Sequence, residues 1–175
     1  SMFMLTPAHA ATPPVPENTD IRTAQLSKTE QNQLITTATQ LISDAKFDEA
    51  YALLVPHQST LAGDPDFDYL LGMAALDTGR PNEAIFALER ALAVTPNHLQ
   101  ARAEIARAYL AAGEVAASQQ EFETVNNQNP PKEVRATIQK YLAIIKSSKT
   151  SKKTAFSGYV EAMIGNDGNV NNATS

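Results

Sequence analysis

A repeat of 34 residues constrains the fold of this chain more than any other feature of its sequence. The repeat emerges when the sequence is shifted by 34 positions against itself over residues 65–132. The shift aligns Leu71 with Ile105, Gly72 with Ala106, Gly79 with Gly113, Ala84 with Ser118, Leu88 with Phe122, Ala91 with Val125 and Pro96 with Pro130. A period of this length predicts a solenoid, because each unit can bury its apolar face only against the next unit.

Each copy predicts two amphipathic helices joined by a tight turn. Apolar residues recur at steps of three and four positions, first at Leu71, Ala74 and Ala75, then at Ala84, Ile85, Leu88, Ala91 and Leu92. Gly79 and Gly113 supply the turns, and Pro96 and Pro130 end the second helices. Gly72 lies where the two helices approach most closely, so a larger side chain there would force them apart.

In length and in most signature positions the two copies resemble the tetratricopeptide repeat (TPR). They depart from it early in the first helix, where Asp68 and Arg102 replace the expected aromatic residue. The tyrosine late in that helix is present as Tyr109 but is replaced by Ala75 in the other copy. The resemblance implies an all-α solenoid in which helix pairs stack on one another.

A third, degraded copy precedes these two, since Ala50 lies 34 residues before Ala84. Ser27 and Glu30 have the spacing of a capping box and predict the start of its first helix. Its second helix should end near Pro56, followed by an irregular connection over residues 57–64. After the last copy, one apolar stripe predicts a capping helix, consisting of Val134, Ile138, Leu142 and Ile145 with Tyr141 beside it.

These patterns predict about three helix pairs and the capping helix within residues 27–147. Residues 1–26 contain the small-x-small pattern Ala8-His9-Ala10 and then three prolines, which predicts a signal-peptide remnant and a linker. An arbitrary N-terminal segment is the alternative. Residues 148–155 are rich in Ser, Thr and Lys and predict a solvated tether, or one that lies against anionic lipid.

Residues 156–175 show a different pattern. Apolar residues and Gly158 alternate with mostly polar ones from Phe156 to Ile164, which predicts a strand, and a turn-forming run follows it. A lone strand is not stable, and an alternation of this length is typical of outer-membrane barrel strands. We therefore predict that a first barrel strand and turn follow the helices.

Four segments, 63–72 (GDPDFDYLLG), 87–90 (ALER), 101–109 (ARAEIARAY) and 165–171 (GNDGNVN), resemble periplasmic TPR domains fused to outer-membrane β-barrels. Among such fusions the chain is similar to the surface lipoprotein assembly modifier family. This resemblance implies a location at the periplasmic face of the outer membrane, anchored by a barrel. It also implies a protein client, either a secreted lipoprotein or a chaperone that delivers one. The TPR scaffold of an exopolysaccharide export porin is the alternative.

The composition argues against other function classes. The net charge of −5 disfavours nucleic acid as a partner, because phosphate contacts need clustered Lys and Arg. The chain has no cysteine, and its three histidines lack the spacing of metal ligands. We find no catalytic constellation, so the sequence predicts a non-enzymatic protein without metal or cofactor.

The predicted working surface is a concave groove lined by the first helix of each pair. Helical spacing selects ten groove residues: Ile35, Thr39, Ile42, Tyr69, Met73, Asp77, Gln100, Ala103, Arg107 and Leu110. Such a strip suits an extended or helical peptide. In this prediction Met73 gives an adaptable contact, Tyr69 a rigid anchor, and Arg107 a contact to a carboxylate or a backbone carbonyl. A different face of the solenoid is the alternative.

Overall fold

A computed structural model describes residues 26–148, and these fold as consecutive helices without a strand. The helices are α1 (Lys28–Ser43), α2 (Phe47–Leu54), α3 (Gln58–Leu61), α4 (Pro65–Asp77), α5 (Pro81–Val94), α6 (Leu99–Ala111), α7 (Val115–Asn127) and α8 (Lys132–Ser148). The predicted all-α class is therefore confirmed for the described residues. The signal-peptide remnant, the tether beyond Ser148 and the barrel strand lie outside them.

The helices form three pairs in the predicted register. Helices α1 and α2, α4 and α5, and α6 and α7 pack against each other, and each pair contacts the next. Three core clusters follow the chain, one around Leu54 and Phe67, one around Leu88 and Ile105, and one around Phe122. The first two clusters each draw side chains from two pairs, and the third draws them from the last pair and α8, as expected of units that cannot bury their apolar faces alone.

Three of the helix ends share one backbone geometry. At the end of α4 the Arg80 N–H donates to the Ala75 carbonyl and the Gly79 N–H to the Leu76 carbonyl. This Schellman motif needs a left-handed residue after the helix, and Gly79 takes it with φ of 78°. Equivalent bonds close α6 at Gly113. They also close α1, although the chain there has an alanine instead of a glycine.

The close approach of paired helices at Gly72 is confirmed. A Cβ atom placed on Gly72 would lie 2.5 Å from Cγ of Leu88 on α5. That distance is well inside van der Waals contact, so α4 and α5 can pack this closely only because residue 72 has no side chain. Ala106, the equivalent of Gly72 in the next repeat, and the aligned small residues Ala84 and Ser118 are all fully buried.

Asp68 and Arg102, which replace the expected aromatic residue early in the first helix, are both ion-pair positions. Asp68 is fully buried, accepts from the Gly63 N–H at 2.7 Å and pairs with Arg90 of α5. In the next repeat the polarity is reversed, because Arg102 occupies the equivalent position and pairs with Glu121 of α7 at 2.7 Å. An ion pair thus joins α4 to α5, and another joins α6 to α7, where an aromatic residue was expected.

Two local predictions need correction. The connection after α2 is not irregular, since a 3₁₀ turn (Val55–His57) and the single turn of α3 fill it. In α8 the buried face is Ile138, Tyr141 and Ile145, whereas Val134 is exposed and Leu142 only half-buried. Tyr141 enters the core because its ring stacks on Phe122 with centroids 4.8 Å apart.

The capping box at the start of α1 is confirmed. The Glu30 N–H donates to Oγ of Ser27 at 3.3 Å, and the Ser27 N–H donates to Oε2 of Glu30 at 2.7 Å. Leu26, which the sequence assigned to the preceding linker, packs against the first core cluster. In residues 26–148 no helix is long and apolar enough to cross a membrane.

Candidate functional site

The structure brings together the predicted groove residues of α4 and α6. Nη2 of Arg107 donates to Oδ1 of Asp77 at 2.9 Å, across the gap between the two helices. Met73, half-buried, lies one turn before Asp77 on α4. The ring of Tyr69 packs against His98, with centroids 4.7 Å apart, and His98 in turn caps α6 by accepting the Ala101 N–H. The 34-residue period accounts for this arrangement, because equivalent positions of adjacent repeats face the same way.

Arg107, predicted to contact a carboxylate or a backbone carbonyl of a partner, already pairs with two carboxylates of its own chain. Its Nη1 donates to Oε2 of Glu104 at 2.5 Å, while its Nη2 binds Asp77. The side chains of Asp77, Glu104 and Arg107 are only 12%, 17% and 20% exposed. These three residues are called here the charge cluster. Its two carboxylates pair with the Arg107 guanidinium from within the chain.

Burial is the main cause of two pKa shifts at and beside the charge cluster. It raises the pKa of Glu104 above the usual range, although the neighbouring guanidinium of Arg107 opposes the shift. Burial, with a smaller contribution from the charge of Glu104, also raises the pKa of Tyr69 to about 12. Both shifts mark a site where a carboxylate is poorly solvated and Arg107 only partly compensates it.

A pocket of about 390 Å³ opens next to the charge cluster, between α6 and α8. Most of its lining is apolar. The lining residues are Leu99, Gln100, Ala103, Glu104, Arg107, Phe122, Val125, Pro130, Pro131, Glu133, Val134, Thr137, Ile138 and Tyr141. This α6–α8 pocket contains three of the predicted groove residues, namely Gln100, Ala103 and Arg107.

The predicted residues of α1 lie elsewhere. Ile35 lines a smaller pocket of about 200 Å³ between α1 and the start of α4, together with Leu61 and Phe67. Ile42 is half-buried against the first core cluster, and Thr39 is exposed, with its hydroxyl donating to the Ile35 carbonyl at 2.8 Å. Of the predicted strip, only Ile35 lines this pocket, and the α4 residues of the strip line neither pocket.

Leu110, predicted to line the groove, is buried in the core instead. It is 2% exposed and packs in the third core cluster with Ala106, Phe122 and Val125. Helical spacing assigned it to the groove because it lies one turn after Arg107. The packing of α7 and α8 against the end of α6 buries that turn.

Sequence reasoning missed Glu104 and the side of the pocket that α8 provides. Glu104 lies three residues before Arg107, a spacing that brings opposite charges together on one helix. The sequence therefore contained the signal for the pairing of Glu104 with Arg107. Val134, 40% exposed, was assigned to the buried stripe of α8 and instead lines the pocket. Within residues 26–148, no cluster of three His, Asp or Glu side chains has a geometry suited to a metal ion.

Comparisons with known proteins agree with this fold. Residues 75–141 match the family model described as Tetratricopeptide repeat. The structure of the type III secretion translocator chaperone SycD of Yersinia enterocolitica is similar over 74% of this chain and 92% of that one, with 19% identity and a TM-score of 0.63. At that identity the likeness concerns the fold alone. No curated protein matches the chain.

The matched model supports the predicted TPR repeats over residues 75–141, and the similar structure agrees with the all-α fold. Such repeats suggest a domain for protein–protein interaction. The resemblance to surface lipoprotein assembly modifiers stays a prediction, as does the absence of enzymatic activity.

Proposed function

We propose that this domain binds a segment of a client protein in the groove made by the α6–α8 pocket and the adjoining charge cluster. The observation that carries the proposal is the α6–α8 pocket, which combines an apolar lining with a few polar groups at its edge. Sites of this composition take an apolar anchor and fix its orientation through the polar groups. Val134, an exposed apolar residue of α8, supplies apolar surface at this site.

The client in this proposal is a secreted lipoprotein or a chaperone that delivers one, met at the periplasmic face of the outer membrane. Support comes from the signal-like residues 2–10 and the strand-like alternation of residues 156–164. The similar structure is that of a secretion translocator chaperone, which agrees with a client in transit. This last support is an analogy between folds.

The alternative client is an exported polysaccharide, and the geometry of the groove favours a protein over it. The sequence offered two residues for a sugar, the ring of Tyr69 and the carboxylate of Asp77. In the structure His98 packs against that ring, and Arg107 binds that carboxylate. What the groove leaves open is mainly apolar surface, which suits the side chains of a peptide.

Site-specific photocrosslinking in cells that produce the native protein tests the proposal. Gln100 lines the α6–α8 pocket and is exposed, so a benzophenone amino acid at that position should crosslink to the client. The same amino acid at Phe86, 64% exposed on α5, is the matched control outside the pocket. A protein adduct from position 100 and not from position 86 supports the proposal. Equal adducts from both, or an adduct from position 86 alone, contradict it.

A further inference from the structure

The edge of the α6–α8 pocket carries an unbalanced charge. Glu104 and Glu133 line the pocket, and Asp77 reaches the same guanidinium as Glu104. Arg107 is the one cation among the lining residues, and Asp77 and Glu104 both pair with it, which leaves Glu133 without a cation in the lining. The lysines nearest in sequence on α8, Lys132 and Lys140, are exposed and do not line it. The pocket is therefore apolar at its floor and acidic at its rim.

We propose that the α6–α8 pocket selects client segments in which an apolar side chain is accompanied by a lysine or an arginine. The proposal rests on the proposed function and adds the class of peptide. The apolar side chain enters between Ala103 and Val134, and the cation reaches Glu104 or Glu133 at the rim. A long basic side chain suits this path, because its aliphatic stem can lie on apolar surface while its charged end stays at the rim.

The desolvation of Glu104 gives the cation its energetic role. The carboxylate is held in a partly buried position, and burial raises its pKa despite the adjacent Arg107. Asp77 and Glu104 carry two negative charges against the one positive charge of Arg107. An additional cation from a ligand would compensate the excess negative charge. Because the site is shielded from water, this attraction is stronger there than on an open surface.

The same arrangement works against acidic peptides. A ligand carboxylate would find the Nη1 and Nη2 atoms of Arg107 already engaged by Glu104 and Asp77. It would also meet the repulsion of the three carboxylates, and such a repulsive element contributes to specificity as much as an attractive one. The pocket therefore discriminates by the sign of charge as well as by apolar area.

The test is a titration of the isotopically labelled full chain with short capped peptides, followed by NMR. The reference peptide is built from glycine and serine around one leucine, with a lysine two residues later, since those positions share a face of an extended chain. One variant peptide carries glutamate instead of lysine, and another carries serine instead of leucine. The amide signals of Ala103 and Val134 report binding in the pocket.

We expect the lysine peptide to bind about five- to tenfold more tightly than the glutamate peptide, with shifts at Ala103 and Val134. Glu104→Gln should reduce this ratio to about twofold or less, whereas Glu49→Gln, which removes an exposed carboxylate of α2, should leave it unchanged. High salt should reduce the ratio as well. The serine peptide should bind more weakly than both.

Equal affinity of the lysine and glutamate peptides, with shifts still at Ala103 and Val134, would overturn the charge selection and leave the proposed function standing. Equal affinity of the leucine and serine peptides would overturn the apolar anchor. If no peptide shifts these amide signals while the benzophenone amino acid at position 100 crosslinks to a client, the inference is wrong and the proposed protein-binding function still stands. Absence of both signals counts against both.

Discussion

Ala45 occupies a position that the two later repeats give to glycine. Its φ is 56°, in the same left-handed region as Gly79 and Gly113, and its N–H donates to the Ile42 carbonyl at 3.0 Å. For an alanine this conformation is strained, because its Cβ atom approaches the following carbonyl oxygen. The first repeat thus keeps the backbone turn of the TPR pattern without the residue that suits it.

We expect Ala45→Gly to stabilise the domain by about 0.5–1 kcal/mol, the relief of left-handed strain less the entropy that glycine loses on folding. Ala45 is exposed, so little packing is lost with its methyl group. Urea denaturation gives the change in the free energy of unfolding. Gly113→Ala is the matched control and should destabilise by a similar amount. A lower stability of Ala45→Gly would show that residue 45 is not left-handed in solution.

Gly72 sets the distance between α4 and α5. We expect Gly72→Leu to destabilise the domain by about 2–4 kcal/mol, because even a Cβ atom would collide with the Leu88 side chain. Adding Leu88→Ala should recover part of the loss by making space. Thermal and urea unfolding of the single and double variants measure both effects. An unchanged midpoint for Gly72→Leu would mean that the repeat register is wrong.

At the scale of the helical elements, the charge cluster links α4 and α6 in a way that depends on pH. Burial raises the pKa of Glu104 in the folded state, so its ionised form costs folding free energy. The stability that the protonated form contributes is complete below the unfolded pKa and is lost as pH rises through the folded pKa.

Glu104→Gln removes the folding free energy that ionised Glu104 costs, while Arg107 keeps its bond to Asp77. We therefore expect the variant to unfold at a higher temperature than the wild type at pH 7, with the two curves converging as pH falls below about 4.5, the ordinary glutamate value. Thermal unfolding across pH measures the difference, and Glu49→Gln controls for the loss of one charge. A difference that is constant from pH 4 to pH 7 would contradict the prediction.

Helix α8 packs on the last repeat through a face that the sequence misassigned by one position. Tyr141 stacks on Phe122 and is buried, whereas Leu142 is half-buried. We expect Tyr141→Ala to cost about 3 kcal/mol and Leu142→Ala only about 1 kcal/mol. Equilibrium unfolding of the two variants compares adjacent positions on one helix. The opposite order would restore the stripe predicted from the sequence.

The fold was predictable because the repeat fixes backbone geometry at a few positions. Gly79 and Gly72 specify a left-handed turn and a close contact, and neither depends on which surface residues surround them. The groove was only partly predictable, because helical spacing gives the direction of a side chain and not its partner. Arg107 points as predicted, but its neutralisation by Asp77 depends on the distance between α4 and α6. The α6–α8 pocket depends on the orientation of α8 about its own axis. The apolar residues of α8 are compatible with more than one such orientation.

On the scale of the whole molecule, stability should vary along the solenoid. A repeat in the middle contacts neighbours on both sides, whereas an end repeat contacts one. The first pair is also the weakest by local criteria, since α2 has eight residues and Ala45 is strained. By contrast, α4 contributes to the first and second core clusters and α6 to the second and third, and the charge cluster links the two helices.

We therefore expect native-state hydrogen exchange to be fastest in α1 and α2 and slowest in α4, α5 and α6. Local opening of an end repeat breaks one interface, whereas opening of a central helix breaks two, so the free energies of exchange should fall into two groups. When exchange is measured in low urea, α1 and α2 should open first. Ala45→Gly should stabilise that pair alone and so reduce the difference in the free energy of exchange between it and the central helices. Uniform protection from α1 to α8 would instead indicate one cooperative unit. Early opening confined to α1 and α2 would leave the α6–α8 pocket on the stable part of the molecule, so that a client docks on a surface that is already formed.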